Sequence, residues 1–291
     1  MKIGFICWKQ GGGTSDFVTP NKQPWLKDVQ IVKSGENKGL IPFEKALIAS
    51  MKHKYKDIEI NYINKFDRKL LEQNDVNFLL SLNLLNAWEG SKSEYNRVYK
   101  LMEDKSLNIY PNLREQLFLY DKGNYLQYFQ KNGIPIAPTF VIKTDRNVEK
   151  IVKRVKKEGW ESFVIKPHRA YASVGIGRFN TDDKNLEKKI KKYLEKNKQF
   201  PGFVCQQMID GFGRFYEIKS YWINGKFSYY VAMKVTEIFK ESEIYNSDFS
   251  DYFGSVSSSV LKDVKRMGKK ILSLYPKLNK YSQPPLFVRM D

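Results

Sequence analysis

The sequence predicts a mixed α/β (α+β) chain, an N-terminal α/β lobe followed by two α+β subdomains, and three observations carry that prediction. Apolar runs of strand length alternate with segments of helical period through the first hundred residues. Three strand-like runs follow one another from about residue 202, and two of them are joined by Asn224-Gly225, a strong hairpin signal. The chain has 291 residues, 42% of them hydrophobic, enough to bury more than one core.

In order along the chain, "KIGFICW" (2–8) and "VNFLLSLNLL" (76–85) read as strands. Between them 43–55 reads as a helix, with Phe43, Ala46, Leu47, Ile48 and Met51 at helical spacing. The consecutive glycines Gly11, Gly12 and Gly13 lack the G-x-G-x-x-G spacing of a dinucleotide fold and read as a mobile or a substrate-facing loop. Two short helical patterns after 110 turn Leu117, Tyr120, Tyr125 and Phe129 toward one core. Gly133 caps the second, and Pro135 and Pro138 force an extended exit.

A strand at 139–142 is followed by a helix at 147–159, with Val148, Ile151, Val152 and Val155 inward, and a strand at 162–166. The helix at 185–198 has an apolar stripe of Leu186, Ile190, Tyr193 and Leu194, its lysines forming a solvated face. Strands are predicted at 202–209, 216–223 and 226–234, then a basic amphipathic helix at 260–275 and a last strand at 284–291.

Composition narrows the chemistry. Fifty Lys and Arg against 32 Asp and Glu give a formal charge of +18, which biases the surface toward anionic partners. Cys7 and Cys205 lie in separate apolar runs with no ligand-spaced companion, which supports neither a disulfide framework nor a zinc site. With His53 and His168 the only histidines, and both expected at the surface, a Ser/His/Asp triad has little to build on. No run approaches the ~20 apolar residues of a membrane helix, and the opening residues lack the pattern of a signal peptide. The chain reads as cytoplasmic.

The residues that carry chemistry are cations at element ends. Lys166 closes the run Phe163-Val164-Ile165, and Pro167 stops the strand there, placing an ammonium group at a cleft edge. Ser173, Gly175 and Gly177 follow it in a loop whose bare N–H groups can close over phosphate. Lys122, Lys219, Lys234 and Arg289 also lie at or near the ends of predicted elements.

In order, the chain presents D-K before a helix, "GIP" before a strand, V-I-K-P before a glycine loop, "VCQQMI" before "YEIKSYWINGK", and R-M-D after a helix. This series resembles the ATP-grasp superfamily, which includes glutathione synthetase, D-alanyl-D-alanine ligases and ligases that add glutamate to ribosomal protein tails. The resemblance implies an ATP-grasp fold: a pre-ATP-grasp lobe at 1–107, a central subdomain at 108–200 and a C-terminal subdomain at 201–291. It also implies an ATP-dependent carboxylate-amine ligase using Mg2+ and acting on a small-molecule or peptide carboxylate and an amine acceptor.

By the same resemblance Lys122 and Lys166 contact the ATP phosphates beneath a flap at 171–177. Gln206, Gln207, Met208 and Ile209 form the hinge against adenine, and Glu217 holds the ribose. Lys219 stands where an arginine is common, Lys234 and Arg289 lie near the transferred phosphate, and Asp291 is the first Mg2+ ligand. Two departures stand out: Gln206-Gln207 replace a hinge that often has glutamate, and the family's further Glu-x-Asn strand does not follow Asp291, so the chain reads as truncated.

Physics supports such a set of cations. A carboxylate attacking ATP brings two anions together, and at ~4 Å each charge pair repels by about 4 kcal/mol at an effective dielectric near 20. Phosphoryl transfer otherwise needs little beyond positioning and electrostatics. Two other readings stay open: an ATP-binding module without activity, and a nucleic-acid-binding protein. The second is disfavoured because Tyr221, Ile223, Phe227 and Tyr229 alternate as a half-buried hairpin requires.

Overall fold

The computed structural model describes residues 1–7, 17–80, 91–142, 145–169, 175–209, 215–234, 253–275, 285 and 287–290. It divides into two compact units, Met1–Gln116 and Leu117–Asp291. In the first, β1 (Lys2–Ile6), β2 (Phe17–Val18) and β3 (Ile41–Pro42) precede α1 (Phe43–Lys54), β4 (Glu59–Ile63), α2 (Arg68–Leu71) and β5 (Val76–Leu79). The helix α3 (Lys92–Glu103) and β6 (Ile109–Tyr110) follow, and α4 (Leu113–Leu119) contains the boundary between the units.

The main sheet of this unit has the order β4-β1-β5-β6, every pair parallel. The apolar run of β1 suits a strand inside such a sheet. Ile3, Phe5 and Cys7 pack with Ile48 of α1 and Ile60 of β4. The strand β4 and helix α3 go beyond the sequence expectations. β4 buries Ile60 and Ile63 of "EINYI", and α3 buries Val98 and Met102.

In the second unit α5 (Lys122–Lys131), β7 (Thr139–Ile142), α6 (Val148–Lys157), β8 (Ser162–Pro167), β9 (Gly177–Asn180), α7 (Leu186–Lys196) and β10 (Phe203–Gln207) form one layer system. Its antiparallel sheet has the order β7-β10-β8-β9. Period-two alternation sends Phe140, Ile142, Phe163, Ile165, Phe203 and Cys205 into a core with Ile151, Val152 and Val155 of α6 and Leu186, Ile190 and Leu194 of α7. Thr139, Val164, Lys166 and Gln206 take the other face. Gly133, at φ +69°, ends α5 in the left-handed conformation expected of it. β9 replaces part of the predicted glycine loop: a Cβ at Gly177 would lie 2.7 Å from the Tyr193 ring, so the strand runs close against α7.

The remaining elements are β11 (Tyr216–Ile223), β12 (Lys226–Lys234), β13 (Phe253–Gly254), α8 (Ser258–Leu274) and β14 (Phe287–Met290). They make a second antiparallel sheet in the order β13-β12-β11-β14. Asn224 and Gly225 both have positive φ, +47° and +73°, which matches the right-handed twist of β11 and β12 as a type I′ turn does. Trp222 is 1% exposed and fills the space that Gly268 of α8 leaves open, where a Cβ would lie 2.0 Å from Cζ2.

At Gly268→Ala overpacking should cost about 1–3 kcal/mol against the roughly 1 kcal/mol of helix propensity gained, a net destabilisation of up to about 2 kcal/mol. A lower urea midpoint with an unchanged slope would show this.

Candidate functional site

The site is built where α5, β8 and β10 meet. Asp121 caps α5, its Oδ1 accepting from the Asn124 N–H at 3.1 Å, which fixes the helix start and with it Lys122. The Lys122 N–H donates to the carbonyl of His168 at 3.1 Å, tying the start of α5 to the chain just beyond Lys166. Burial, and secondarily the charge of Lys166, pull the Lys122 ammonium down to about 8, while Asp121 opposes them. Burial also pulls Lys166 below the ordinary lysine value. Two cations brought together in a partly dry place are an arrangement that an anion relieves.

Lys166 is held from β10. Its Nζ donates to Gln206 Oε1 at 2.7 Å, Gln206 Nε2 donates to Thr139 Oγ1 at 2.8 Å, and Thr139 Oγ1 donates to the Ala137 carbonyl at 2.6 Å. The chain fixes both the amide's orientation and the lysine's direction. A neutral partner leaves the full positive charge of Lys166 for an outside anion, which a glutamate at 206 would not.

At the other end of β8 a cleft of about 550 Å3 opens, lined by Pro135, Ala137, Pro138, Ser162, Gln207, Met208 and Ile209 among others. Its size suits a small ligand. Neither lysine lines it: Lys166 stands four residues along the strand from Ser162, about 13 Å of extended chain. The Gln207 and Met208 N–H groups are engaged by Pro138 O at 2.9 Å and Ser162 O at 3.1 Å. The side chain of Gln206 is committed to Lys166, so of the four predicted hinge residues the last three border the cleft.

On the second sheet Glu217 and Lys219 share a face with Arg289, which pairs with Tyr221 across β11 and β14. Glu217 Oε2 and Lys219 Nζ are 3.5 Å apart, both about a quarter exposed. Lys234 ends β12 opposite Tyr216. Ser173 and Asp291 lie outside the described residues, as does the flap at 171–174. Gly175, at φ +71°, is a position favouring glycine, and a Cβ there would lie 2.9 Å from Pro167 Cγ. Among the described residues no three His, Cys, Asp or Glu side chains gather as a metal site.

Two expectations about side chains outside the cation set have different outcomes. His53 is exposed and stacked on Trp25, with ring centroids 4.3 Å apart. His168, expected at the surface, is instead largely buried, its side chain 16% exposed, because Gly123 and Gly202 leave a slot that its ring fills. Both cysteines are buried free thiols, and burial pushes Cys7 up to about 12. No described helix is long and apolar enough to cross a membrane. Sequence reasoning missed Thr139 and His168, whose roles depend on partners tens of residues away.

The fold is that of the ATP-grasp ligases. The crystal structure of D-cycloserine synthetase DcsG superposes with a TM-score of 0.62 at 11% identity, over 99% of this chain and 85% of that one. D-alanine–D-alanine ligase from Bacillus anthracis gives 0.58 at 16% identity, over 99% and 81%. The ATP-grasp ligase PsnB, solved with a minimal precursor, Mg and ADP, gives 0.54 at 10% identity, over 100% and 83%. No family model and no curated protein matches the sequence.

Proposed function

We propose that this chain binds ATP and couples its hydrolysis to joining a carboxylate to an amine. The observation that carries the reading is the juxtaposition of Lys122 and Lys166, two partly buried ammonium groups whose burial and mutual repulsion a polyphosphate would relieve. The hinge cleft and the cation pair lie at opposite ends of β8, and an extended nucleoside triphosphate spans such a separation, with its base at Gln207–Ile209 and its phosphates at the lysines. Glu217 is assigned to the ribose, while Lys219, Lys234 and Arg289 are assigned to the phosphoryl group and the attacking carboxylate. Ser173 and Gly175 are assigned to the flap and Asp291 to Mg2+, while Gly177 opens β9 at the flap's base, paired with Ile165.

In the proposed reaction a carboxylate oxygen attacks the γ-phosphorus, ADP leaves, and an amine displaces phosphate from the acyl phosphate to give an amide. The chain's own contribution is to gather cations where the two anions meet. The acid is a small molecule or a peptide carboxylate, the classes that the named relatives suggest.

ADP release that requires both an acid and an amine, found by screening candidate pairs, tests the activity. Binding of ATP without ADP formation under any pair would assign a binding module. Salt-dependent binding of oligonucleotides untouched by excess ATP would replace both readings.

The sign of the pH dependence follows from Lys122. Below about pH 8 its amine is charged in free and bound protein alike, and nucleotide affinity is greatest. Above that value binding must capture a proton, so affinity should fall by up to about tenfold per pH unit toward the ordinary lysine range. Titration calorimetry between pH 7 and 9.5 reads this directly, and a flat profile would remove Lys122 from the phosphate site.

A further inference from the structure

His168, one residue past the end of β8, is hydrogen-bonded to the starts of two other elements, α5 and β10. Its N–H donates to Gly202 O at 3.0 Å and its carbonyl accepts from Lys122 N–H at 3.1 Å. Its Nε2 lies 2.7 Å from Phe203 O. A carbonyl only accepts, so Nε2 carries the hydrogen. Burial lowers the imidazole pKa, which suits a neutral ring with one donor. Nδ1 then faces Asp121 Oδ1 at 3.6 Å, too far for a hydrogen bond, and Arg169 holds the other Asp121 oxygen at 3.7 Å. The ring occupies a slot between two glycines: a Cβ would lie 2.7 Å from Cε1 at Gly123 and 3.2 Å from it at Gly202.

Lys122 and Lys166 stand on different elements, and backbone pairing of β8 with β10 fixes only the second. What fixes the first is the grip on the start of α5: the main-chain carbonyl of residue 168 accepts from the Lys122 N–H, and the imidazole, held by Nε2 on the Phe203 carbonyl, is the surface against which Gly123 rests. We infer that His168 is a positioning residue that clamps α5 to the ends of β8 and β10, so that Lys122 and Lys166 face one anion. The inference rests on the phosphate role proposed for the two lysines, yet the placement of Lys122 can be read without any nucleotide.

Three variants test it. His168→Phe keeps a ring in the slot but donates nothing; His168→Gln keeps an N–H at the reach of Nε2; Gly123→Ala pushes the ring from the helix side. Two quantities are measured in each: affinity for MgATP by calorimetry, and the pH midpoint of Lys122 acylation by trace acetic anhydride, read by mass spectrometry.

The wild-type midpoint should lie near 8. In His168→Phe and Gly123→Ala it should rise toward the ordinary lysine value of about 10.4 as Lys122 leaves its partner and reaches water. MgATP affinity should fall about 10- to 100-fold in both, as small displacements of positioned groups do. His168→Gln should stay close to wild type in both quantities.

A His168→Phe protein that melts lower but keeps the Lys122 midpoint and its nucleotide affinity would reduce His168 to packing and overturn the inference. If His168→Phe does not fold, Gly123→Ala decides on the same two readings. A wild-type protein that ignores MgATP while the midpoint still moves would sink the nucleotide reading and leave the clamp standing.

Discussion

Lys166→Met is expected to weaken MgATP binding by about 10- to 150-fold, the loss that removing charge-assisted hydrogen bonds worth about 1.5–3 kcal/mol implies. Lys122→Met should show a comparable loss. The same substitutions should raise stability at pH 7, which separates a functional cation from a structural one. An amine whose folded pKa lies below its unfolded value holds fewer protons in the folded state, so stability rises with pH between the two values. For Lys122 that window runs upward from about 8. Below it the fold carries the penalty of a charged amine in a partly dry place beside a like charge, and methionine removes that penalty at similar volume. Equilibrium urea unfolding should give a higher midpoint for either variant at pH 7 and a smaller difference at pH 10. A protein that loses both nucleotide affinity and stability would show instead that the lysines hold the fold together.

Trp222→Ala is the largest expected effect on stability, about 3–5 kcal/mol for truncating a large buried aromatic side chain. The indole sits against Gly268 of α8 and edge-on to Phe227 at 5.5 Å, and its Nε1 donates to Ser220 Oγ at 3.1 Å. Because Trp222 anchors the helix to the sheet that carries Glu217, Lys219 and Arg289, its loss should also blunt any activity that uses that sheet. Lys122 of α5 and Lys166 of the other sheet should still bind nucleotide at temperatures where the variant remains folded. Differential scanning calorimetry with and without MgATP reads both effects.

How much of this was legible in the sequence differs between fold and site. The strands at 216–223 and 226–234 match their predicted bounds because a type I′ turn at Asn224-Gly225 sets the register locally and the flanking alternation agrees with it. The helices at 148–157 and 186–196 fall inside their predicted bounds because each has a wide apolar stripe opposite a lysine face. β9 was hidden because its glycine reads as a loop signal. Only the fold shows that Tyr193 needs the space at Gly177.

The site was legible as a set of residue types in order, and the order came from resemblance to a superfamily. Nothing local in "LYDKGNY" or "VIKPHRA" says that Lys122 and Lys166 approach each other. That proximity comes from the hydrogen bond of Lys122 to His168 and from the slot between Gly123 and Gly202. His168 looked like a surface residue for the same reason. Its burial depends on two absent side chains, one 45 residues upstream and one 34 downstream. In the sequence Gln206 reads as a hinge residue at a place where glutamate is common; in the fold its amide orients Lys166 through Thr139.

The central claim is that two lysines from different elements form one polyanion site, and calorimetric titration of MgATP into wild-type protein and the Lys122→Met/Lys166→Met double variant tests it most directly. Saturable binding to the wild type that is lost in a double variant that is still folded is the predicted result. Equal affinity in the two proteins would contradict it.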